Sequence, residues 1–483
     1  MSILLIPKIY KYNSILYTYM SAENMERSLG LYQTLMISIG AMIGSGIFVL
    51  PAIGFLEAGP SVIIAYVLAA GVVFPAALSK AELGTAMPES GGDYIYIERA
   101  LGPLAGTVAG IGAWFLLTFK SAFALVGLGA YLLLLVPLGA TQVTLVGLLF
   151  AVLIVVLNIS GTELTGQAQA VIVTIVLAGL VGYVANTAWI IGTGGVGADV
   201  SRLSGIADAN PGTAFTAAAL VFVSYAGVTK IGSIAEEVKN PDKNLPRGIL
   251  GSLGIMTVVY VGVIGSIVVL NAPVAFGSET AHGASLTPMA DGAGSLFGGY
   301  GVPIISVLAV IALTSMANAG VLSSSRFPLA MSRDDLLPDA LSVIDSRFKT
   351  PRNSILLTGA ILALLIAFVP VITLAEMASA FIIFVMSLIN VALIAFREAD
   401  IDVYNPAFRS PGYPLVQILG TIAGFGLIAQ LGTLAILGAA GITIGGAVIY
   451  LLYGHQRTSG ASAIEIAFGR RNKDNNIPGL KSD

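Results

Sequence analysis

Apolar stretches about as long as a membrane is thick recur along almost the whole of this 483-residue chain. A helix needs about 20 apolar residues to cross the ~30 Å hydrocarbon core of a bilayer. Twelve stretches meet that length, at 33–55, 60–80, 104–134, 141–160, 168–192, 213–234, 248–271, 299–323, 353–372, 374–396, 413–433 and 434–453. Only 10% of the residues are charged, against about 25% in a soluble domain. The sequence therefore predicts an all-α polytopic membrane protein with twelve transmembrane helices.

The positions of the basic residues test this count, because Lys and Arg are retained on the cytoplasmic side of a membrane. With twelve spans and both termini in the cytoplasm, all but three of the 23 Lys and Arg residues fall in cytoplasmic segments. The exceptions are Arg202 in an outer loop, Lys120 within the third span and Lys230 near the inner end of the sixth. We therefore expect a multi-pass protein of the cytoplasmic membrane with both termini inside.

The predicted spans leave little chain for other domains. The transmembrane domain is expected to fill residues 31–454. Residues 1–30 have no clear small-residue cleavage site and predict a cytoplasmic tail, with Met20 or Met25 as alternative starts. Residues 455–483 are polar and predict a second cytoplasmic tail.

The composition excludes several kinds of site. The chain has no cysteine and two histidines, which excludes disulfides, thiolate metal sites and histidine-rich metal sites. Its net charge of -3 offers no basic surface for nucleic acid. We expect neither a metal ion nor another cofactor.

The first predicted span is weakened by three closely spaced glycines, Gly40, Gly44 and Gly46. Each weakens a helix by about 1 kcal/mol relative to alanine. Within a bilayer, backbone groups freed by a break must be satisfied by protein or by a polar cavity, so a break here indicates that its amides and carbonyls bind something. Close packing of helices through small residues explains the same glycines about as well.

A second interruption is predicted in the sixth span, where Gly227 follows Phe222, Ser224 and Tyr225. Interrupted first and sixth spans are typical of an inverted repeat of five plus five helices, with the binding site between the breaks. Helix N-termini at such breaks suit a carboxylate, and free carbonyls suit an ammonium group. An α-amino acid presents both groups.

These segments resemble the amino acid–polyamine–organocation (APC) superfamily of permeases. Four motifs carry the resemblance over residues 31 to 455: Gly44-Ser45-Gly46-Ile47-Phe48 with Pro51; Ser90-Gly91-Gly92-Asp93-Tyr94-Ile95-Tyr96; Ala235-Glu236-Glu237-Val238-Lys239-Asn240-Pro241 with Leu245-Pro246-Arg247; and Ser324-Ser325-Arg326, Met331-Ser332-Arg333-Asp334 and Leu337-Pro338 with Thr350-Pro351. The resemblance implies the five-plus-five inverted-repeat fold of sodium-coupled leucine transporters, with two additional C-terminal helices.

The resemblance also implies a substrate site. The substrate carboxylate is expected at the backbone of Ile43, Gly44, Ser45 and Gly46. The amino group is expected near the carbonyls of Gly40, Ala41, Phe222, Ser224 and Tyr225, with Ala226 and Gly227 completing the segment. Phe222 and Tyr225 are also candidates for a gate or a side-chain pocket, and ordinary packing is the alternative.

The charged residues of the loop motifs have a different expected role. We expect them to cap helices and to pair charges at the cytoplasmic face, with gating as the alternative: Asp93, Arg99, Glu236, Glu237, Arg326 and Arg333.

Lys120 is the only charged residue between Arg99 and Glu163. A lysine at mid-membrane costs at least ~2.5–3.5 kcal/mol on insertion scales, so it should face a cavity or a partner. The permease family often has a lysine in the fifth span, where its ammonium can replace a sodium ion, but this chain has Thr174-Ile175-Val176 there. We hypothesise that Lys120 takes a similar role, reaching toward the first and eighth spans near Ser315, and exchanges a proton during transport, since desolvation favours the neutral amine. The alternative is a lysine that bonds helix carbonyls and only fixes packing.

Together these features predict secondary active transport of L-amino acids by alternating access, with proton-coupled uptake favoured. No acidic side chain lies in the predicted pocket segments, which favours neutral amino acids over dicationic substrates. An amino acid exchanger, a polyamine or organocation permease, and a non-transporting amino acid sensor remain alternatives. The spans show neither the paired carboxylates or histidines of an enzyme nor the charge rings of a channel.

Overall fold

The computed structural model describes residues 27–89, 92–136, 142–161, 166–195, 197–206, 210–277, 284–333, 336–399, 404–454 and 462–464. Of the two predicted tails, only 27–30 and 462–464 fall within these ranges. Both histidines, the two alternative start methionines and the motif residues Ser90, Gly91 and Asp334 lie outside them.

Helices account for nearly all regular structure in these ranges, and the only extended pairings there are two isolated β-bridges, Leu29 with Val238 and Gly277 with Ala284. The helices are α1 (Leu31–Met42), α2 (Ser45–Phe48), α3 (Leu50–Ala58), α4 (Val62–Ala86), α5 (Asp93–Leu101), α6 (Pro103–Leu133), α7 (Val143–Ile159), α8 (Gly166–Thr193), α9 (Pro211–Val221), α10 (Lys230–Ser233), α11 (Pro241–Leu270), α12 (Pro288–Phe297), α13 (Gly301–Arg333), α14 (Arg352–Phe368), α15 (Val371–Glu398), α16 (Leu415–Ile428) and α17 (Thr433–Ile449). Short 3-10 helices occur in several connections, and one of them, Phe222–Thr229, joins α9 to α10.

Eight helical segments of the described chain are long and apolar enough to cross a bilayer: Leu50–Ala86, Pro103–Leu133, Gln167–Thr193, Pro211–Ser233, Pro241–Leu270, Pro288–Arg333, Val371–Glu398 and Thr433–Leu452. Four apolar helices are shorter: Leu31–Met42, Val143–Ile159, Arg352–Phe368 and Leu415–Ile428. The prediction of an all-α polytopic chain is confirmed. The count of twelve spans and the inverted repeat stay predictions.

The helix that contains the eighth predicted span, α13, is longer than that span, since it continues past residue 323 to Arg333. The two serines that follow residue 323 satisfy their hydroxyls on their own helix. Ser324 Oγ donates to the Val321 carbonyl (3.1 Å) and Ser325 Oγ to the Leu322 carbonyl (3.0 Å). Polar residues that bond locally allow a helix to continue where hydropathy alone predicts an end.

The core lies where α4, α6, α8, α9, α11 and α13 pack around the segments α1–α3. Close approach of α6 and α13 depends on Gly320, where an added Cβ would lie 2.1 Å from Ser121 Oγ. At the periphery, α7 presents Leu145, Leu149 and Val152, each at least 58% exposed, which is the kind of surface that lipid covers.

Candidate functional site

The first span is broken immediately after Met42. Helix α1 ends there, Ile43 is extended (φ -71°, ψ 118°), Gly44 is also extended (φ 164°, ψ -132°), and α2 begins at Ser45. The first amides of a helix have no acceptor within that helix, and the last carbonyls have no donor. The break therefore places carbonyls at the end of α1 next to amides at the start of α2, deep in a buried region.

All four glycines singled out in the sequence lie where other chain segments approach closely. An added Cβ would lie 2.0 Å from Met316 Sδ at Gly44 and 2.7 Å from Ser224 Oγ at Gly46. It would lie 2.4 Å from Val173 Cγ2 at Gly40 and 2.4 Å from the Ser38 carbonyl oxygen at Gly227. The packing interpretation therefore applies to each glycine, while Gly44 also lies in the break itself.

The sixth span is interrupted in a different manner. Instead of an extended gap, residues Phe222–Thr229 form a 3-10 helix of eight residues, which contains Ser224, Tyr225, Ala226 and Gly227. The tighter winding changes which carbonyls bond along the chain. Two of them accept bonds from other helices: Ser224 O from Tyr260 Oη (2.9 Å) and Gly227 O from Ser38 Oγ (3.2 Å).

Buried tyrosine hydroxyls satisfy several carbonyls at the two interruptions. Tyr260 Oη lies 2.8 Å from Met42 O and 2.9 Å from Ser224 O, so one hydroxyl hydrogen serves both interrupted segments in turn. Tyr66 Oη donates to Gly46 O (2.7 Å), Tyr131 Oη donates to Phe48 O (2.8 Å), and Tyr225 Oη donates to the backbone of Tyr66 (3.0 Å). Tyr66, Tyr131 and Tyr260 were not predicted as site residues from the sequence. A tyrosine in an apolar span must find an acceptor, and that requirement was the available signal.

Ser224 has a buried hydroxyl that faces the backbone of Gly46. The hydroxyls of Tyr66 and Tyr260 lie close enough to exchange hydrogen bonds with it. Buried polar groups need such partners, and here they cluster between the two interrupted segments. The neighbour of Ser224, Phe222, is also buried and borders a crevice lined by residues of α4, α15 and α16, including Val72, Ile383 and Asn390.

Lys120 reaches the break from α6. Its Nζ donates to Ala41 O at 2.6 Å, and the residue is only 7% exposed. The predicted approach of Lys120 to the first span is therefore present. Ser315 bonds elsewhere: its Oγ donates to Gln169 Oε1 (3.2 Å), and Gln169 Nε2 lies 3.1 Å from where a Cβ on Gly40 would be. Gln169, which was not predicted from the sequence, lies on the fifth span and thus contacts the eighth span at Ser315 and the first at Gly40.

The loop motifs do pair charges, as expected, at two positions on α5. Asp93 Oδ1 lies 2.5 Å from Lys80 Nζ, and both side chains are buried. Arg99 Nη2 lies 2.5 Å from Glu89 Oε2. No group of three or more His, Cys, Asp or Glu residues that could hold a metal ion occurs in the ranges that the structure describes.

Most of the chain matches a protein-family model, and the chain is similar to several named proteins. Residues 33–454 match the family model described as amino acid permease. The chain is 30% identical to the branched-chain amino acid permease BcaP of Bacillus subtilis over 456 aligned residues. The aligned region covers 90% of this chain and 95% of that protein. It is 28% identical over 455 residues to BcaP of Lactococcus lactis subsp. cremoris, covering 88% and 93% respectively. It is 27% identical over 416 residues to the serine/threonine exchanger SteT of Bacillus subtilis, covering 83% and 90%.

Proposed function

The chain belongs to the amino acid permease family of the APC superfamily, and on that premise we propose that it carries neutral L-amino acids across the cytoplasmic membrane by alternating access, coupled to protons. It is a multi-pass helical membrane protein. The observation that carries the proposal is the break between α1 and α2, which lies opposite the buried hydroxyl of Ser224 on the interrupted sixth span. Both termini are proposed to be cytoplasmic, and the shorter apolar helices are proposed to complete twelve spans in a five-plus-five repeat.

The substrate carboxylate is proposed to bind the backbone amides of Ile43, Gly44, Ser45 and Gly46. An extended backbone followed by a helix start leaves amides available to an anion. The amino group is proposed to bind carbonyls across the gap, at the end of α1 and on the 3-10 segment. A carbonyl oxygen has two lone pairs, so Met42 O and Ser224 O can accept an ammonium hydrogen beside the Tyr260 hydroxyl.

Three observations support neutral substrates. The side chains next to the break include Met316 and Ser224, which are uncharged. The ammonium of Lys120 lies one hydrogen bond from the end of α1 and would repel a second positive charge on the substrate. Two relatives, at 30% and 27% identity, are named for branched-chain amino acids and for serine and threonine.

Lys120 is proposed to couple transport to a proton. A charged ammonium bonds a carbonyl more strongly than a neutral amine does, so protonation would strengthen the tie between α6 and Ala41 O and deprotonation would weaken it. The charged group that acts on Lys120 from a neighbouring element is Lys230 on α10, whose Nζ bonds Ser323 Oγ on α13. A coupling role thus requires the α1 end to move with the charge state of Lys120.

Uptake by purified protein in proteoliposomes tests the proposal. Labelled leucine, isoleucine, valine, serine, threonine and lysine are offered under an inward proton gradient, without amino acid inside. Accumulation of a neutral amino acid supports proton-coupled transport. Uptake that appears only when the vesicles are preloaded with amino acid would instead support an exchanger, which the similarity to SteT favours as the second candidate. Thermal stabilisation by an amino acid without any uptake would indicate a sensor.

A further inference from the structure

The residues just before α1 are tied to the loop that follows α10. Leu29 N donates to Glu237 O (3.0 Å), and Lys239 N donates to Leu29 O (2.8 Å). These two bonds flank Val238, with which Leu29 forms an isolated parallel bridge. Both apolar side chains are buried, Leu29 at 8% exposure and Val238 at 0%. We call this pairing of Leu29 with Glu237–Lys239 the strap.

The strap is coupled rigidly to the start of α1. Thr34 donates to Gly30 O through both its backbone N (3.0 Å) and its Oγ1 (2.9 Å), and Gly30 N donates to Gln33 Oε1 (3.1 Å). Farther along α1, Ser38 Oγ bonds Gly227 O of the 3-10 segment. Helix α1 is thus attached at its start and at its middle to residues 222–239, and its end carries the break and the contact with Lys120.

The loop is shaped to meet Leu29. Asn240 adopts a left-handed conformation (φ 47°, ψ 61°) just before α11 begins at Pro241. Asparagine tolerates that conformation better than most residues. The reversal leaves Val238 extended (φ -80°, ψ 126°) beside Leu29. The motif that contains Val238, Lys239 and Asn240 therefore has a specific structural task that the substrate site does not explain.

We propose that the strap is a latch that holds α1 against the segment following the sixth span and opens in each cycle to release substrate toward the cytoplasm. The inference rests on the proposed transport by alternating access. Lys239 and Asn240 are exposed, so water can replace the backbone bonds of the strap when it opens. In contrast, both side chains of the Lys80–Asp93 pair are buried, so water cannot replace their contact in the same way.

The absence of cysteine from the chain allows a direct test. The double variant Leu29→Cys/Val238→Cys places a thiol pair across the strap. Oxidation is expected to reduce uptake at least tenfold while substrate still stabilises the protein thermally, and reduction restores uptake. The matched control is Gly277→Cys/Ala284→Cys, which crosslinks the other isolated bridge, within a single loop, and should leave uptake within twofold. Uptake by the fully crosslinked Leu29–Val238 variant at the rate of its reduced form would overturn the latch.

A second measurement does not depend on transport. Lys239→Pro removes the amide that donates to Leu29 O, whereas Lys239→Ala retains it. A reporter, Ser38→Cys, lies fully buried on α1 against the 3-10 segment. Thiol labelling of this reporter is expected to be at least fivefold faster with Lys239→Pro than with Lys239→Ala. Equal labelling rates would contradict the latch even if no amino acid were transported, whereas faster labelling without any uptake would contradict only the proposed function.

Discussion

Lys120 Nζ and the carbonyl oxygen of Ala41 are 2.6 Å apart, which joins the third span to the end of α1 two residues before the break. A buried cation is thereby attached to the part of the backbone that must rearrange if substrate enters or leaves at the break. Two roles have been considered for Lys120, proton coupling and packing, and the bond is compatible with packing because its acceptor is a helix carbonyl. The roles differ in whether the bond changes when Lys120 gains or loses a proton.

Gly46→Ala should damage the site through backbone contact. The new Cβ would lie 2.7 Å from Ser224 Oγ and 3.0 Å from Ser224 Cα, and the latter is backbone that cannot rotate away. Overpacking of this kind costs about 1–3 kcal/mol of unfolding free energy. We expect a lower melting temperature and no thermal stabilisation by amino acids. Gly71→Ala on α4, where an added Cβ meets nothing within 4 Å, is the control; it should retain stabilisation by amino acids and should not lower the melting temperature, because alanine favours a helix over glycine.

Met316 should influence which side chain the site accepts. Its sulfur lies over Gly44, and Ser45 Oγ approaches it at 3.9 Å. We expect Met316→Ala to open space at the break, so that larger amino acids such as phenylalanine compete at least fivefold better for uptake. Met316→Leu keeps the volume and should retain the wild-type order of preference. An unchanged competition profile for Met316→Ala would place the substrate side chain elsewhere.

Tyr260→Phe should weaken substrate binding more than Tyr131→Phe does. Each change removes one buried hydroxyl, at a cost of about 1–3 kcal/mol for the carbonyl left without a donor. Of these two tyrosines, Tyr260 donates to both interruptions, through Met42 O and Ser224 O, whereas Tyr131 donates to the first alone, at Phe48 O. We expect similar losses of thermal stability but a rise in KM for uptake that is largely confined to Tyr260→Phe. Equal KM values in the two variants would show that Tyr260 is only a structural residue.

Glu82 should be the most sensitive charged residue for stability. It is fully buried and accepts bonds from Arg397 Nε (2.8 Å) and Nη2 (2.6 Å), from Tyr404 Oη (3.2 Å) and from Ser410 N (2.6 Å). Removing one partner of a fully buried ion pair costs about 3–5 kcal/mol; Arg397 is 19% exposed and keeps part of its hydration, so the loss expected here is smaller. Glu82→Gln should still lower the melting temperature in detergent. Glu398→Gln, at an exposed position, should change it little.

The location of the first break could be predicted from the sequence because its causes are local. Three glycines, at 40, 44 and 46, weaken the helix, and the apolar residues around them mean that any freed backbone group needs a hydrogen-bond partner within the protein. Neither effect depends on the rest of the fold. The 3-10 winding of residues 222–229 was not predictable in this way, since a single glycine does not distinguish a tight helix from an extended gap.

Contacts between distant segments were beyond the reach of local patterns. Glu82 and Arg397 are 315 positions apart, and two of the tyrosines at the interruptions, Tyr66 and Tyr260, come from different spans. Hydropathy shows that such residues need partners but does not identify them. The bond between Ser315 and Gln169 illustrates the same limit, because the sequence placed Ser315 near Lys120 and could not show which polar side chain it contacts.

Lys120→Arg separates the two roles of Lys120 most directly. Arginine keeps the positive charge but does not release a proton in proteins. In proteoliposomes with an inward proton gradient, wild type is expected to accumulate a neutral amino acid more strongly as the external pH falls, and Lys120→Ala and Lys120→Arg should both lose that pH dependence. Lys230→Ala, which removes the other nearby ammonium, serves as the control; it should retain a pH dependence, with a shifted midpoint, because Lys120 is still present. Accumulation by Lys120→Arg with the same pH dependence as wild type would contradict proton coupling through the Lys120–Ala41 contact.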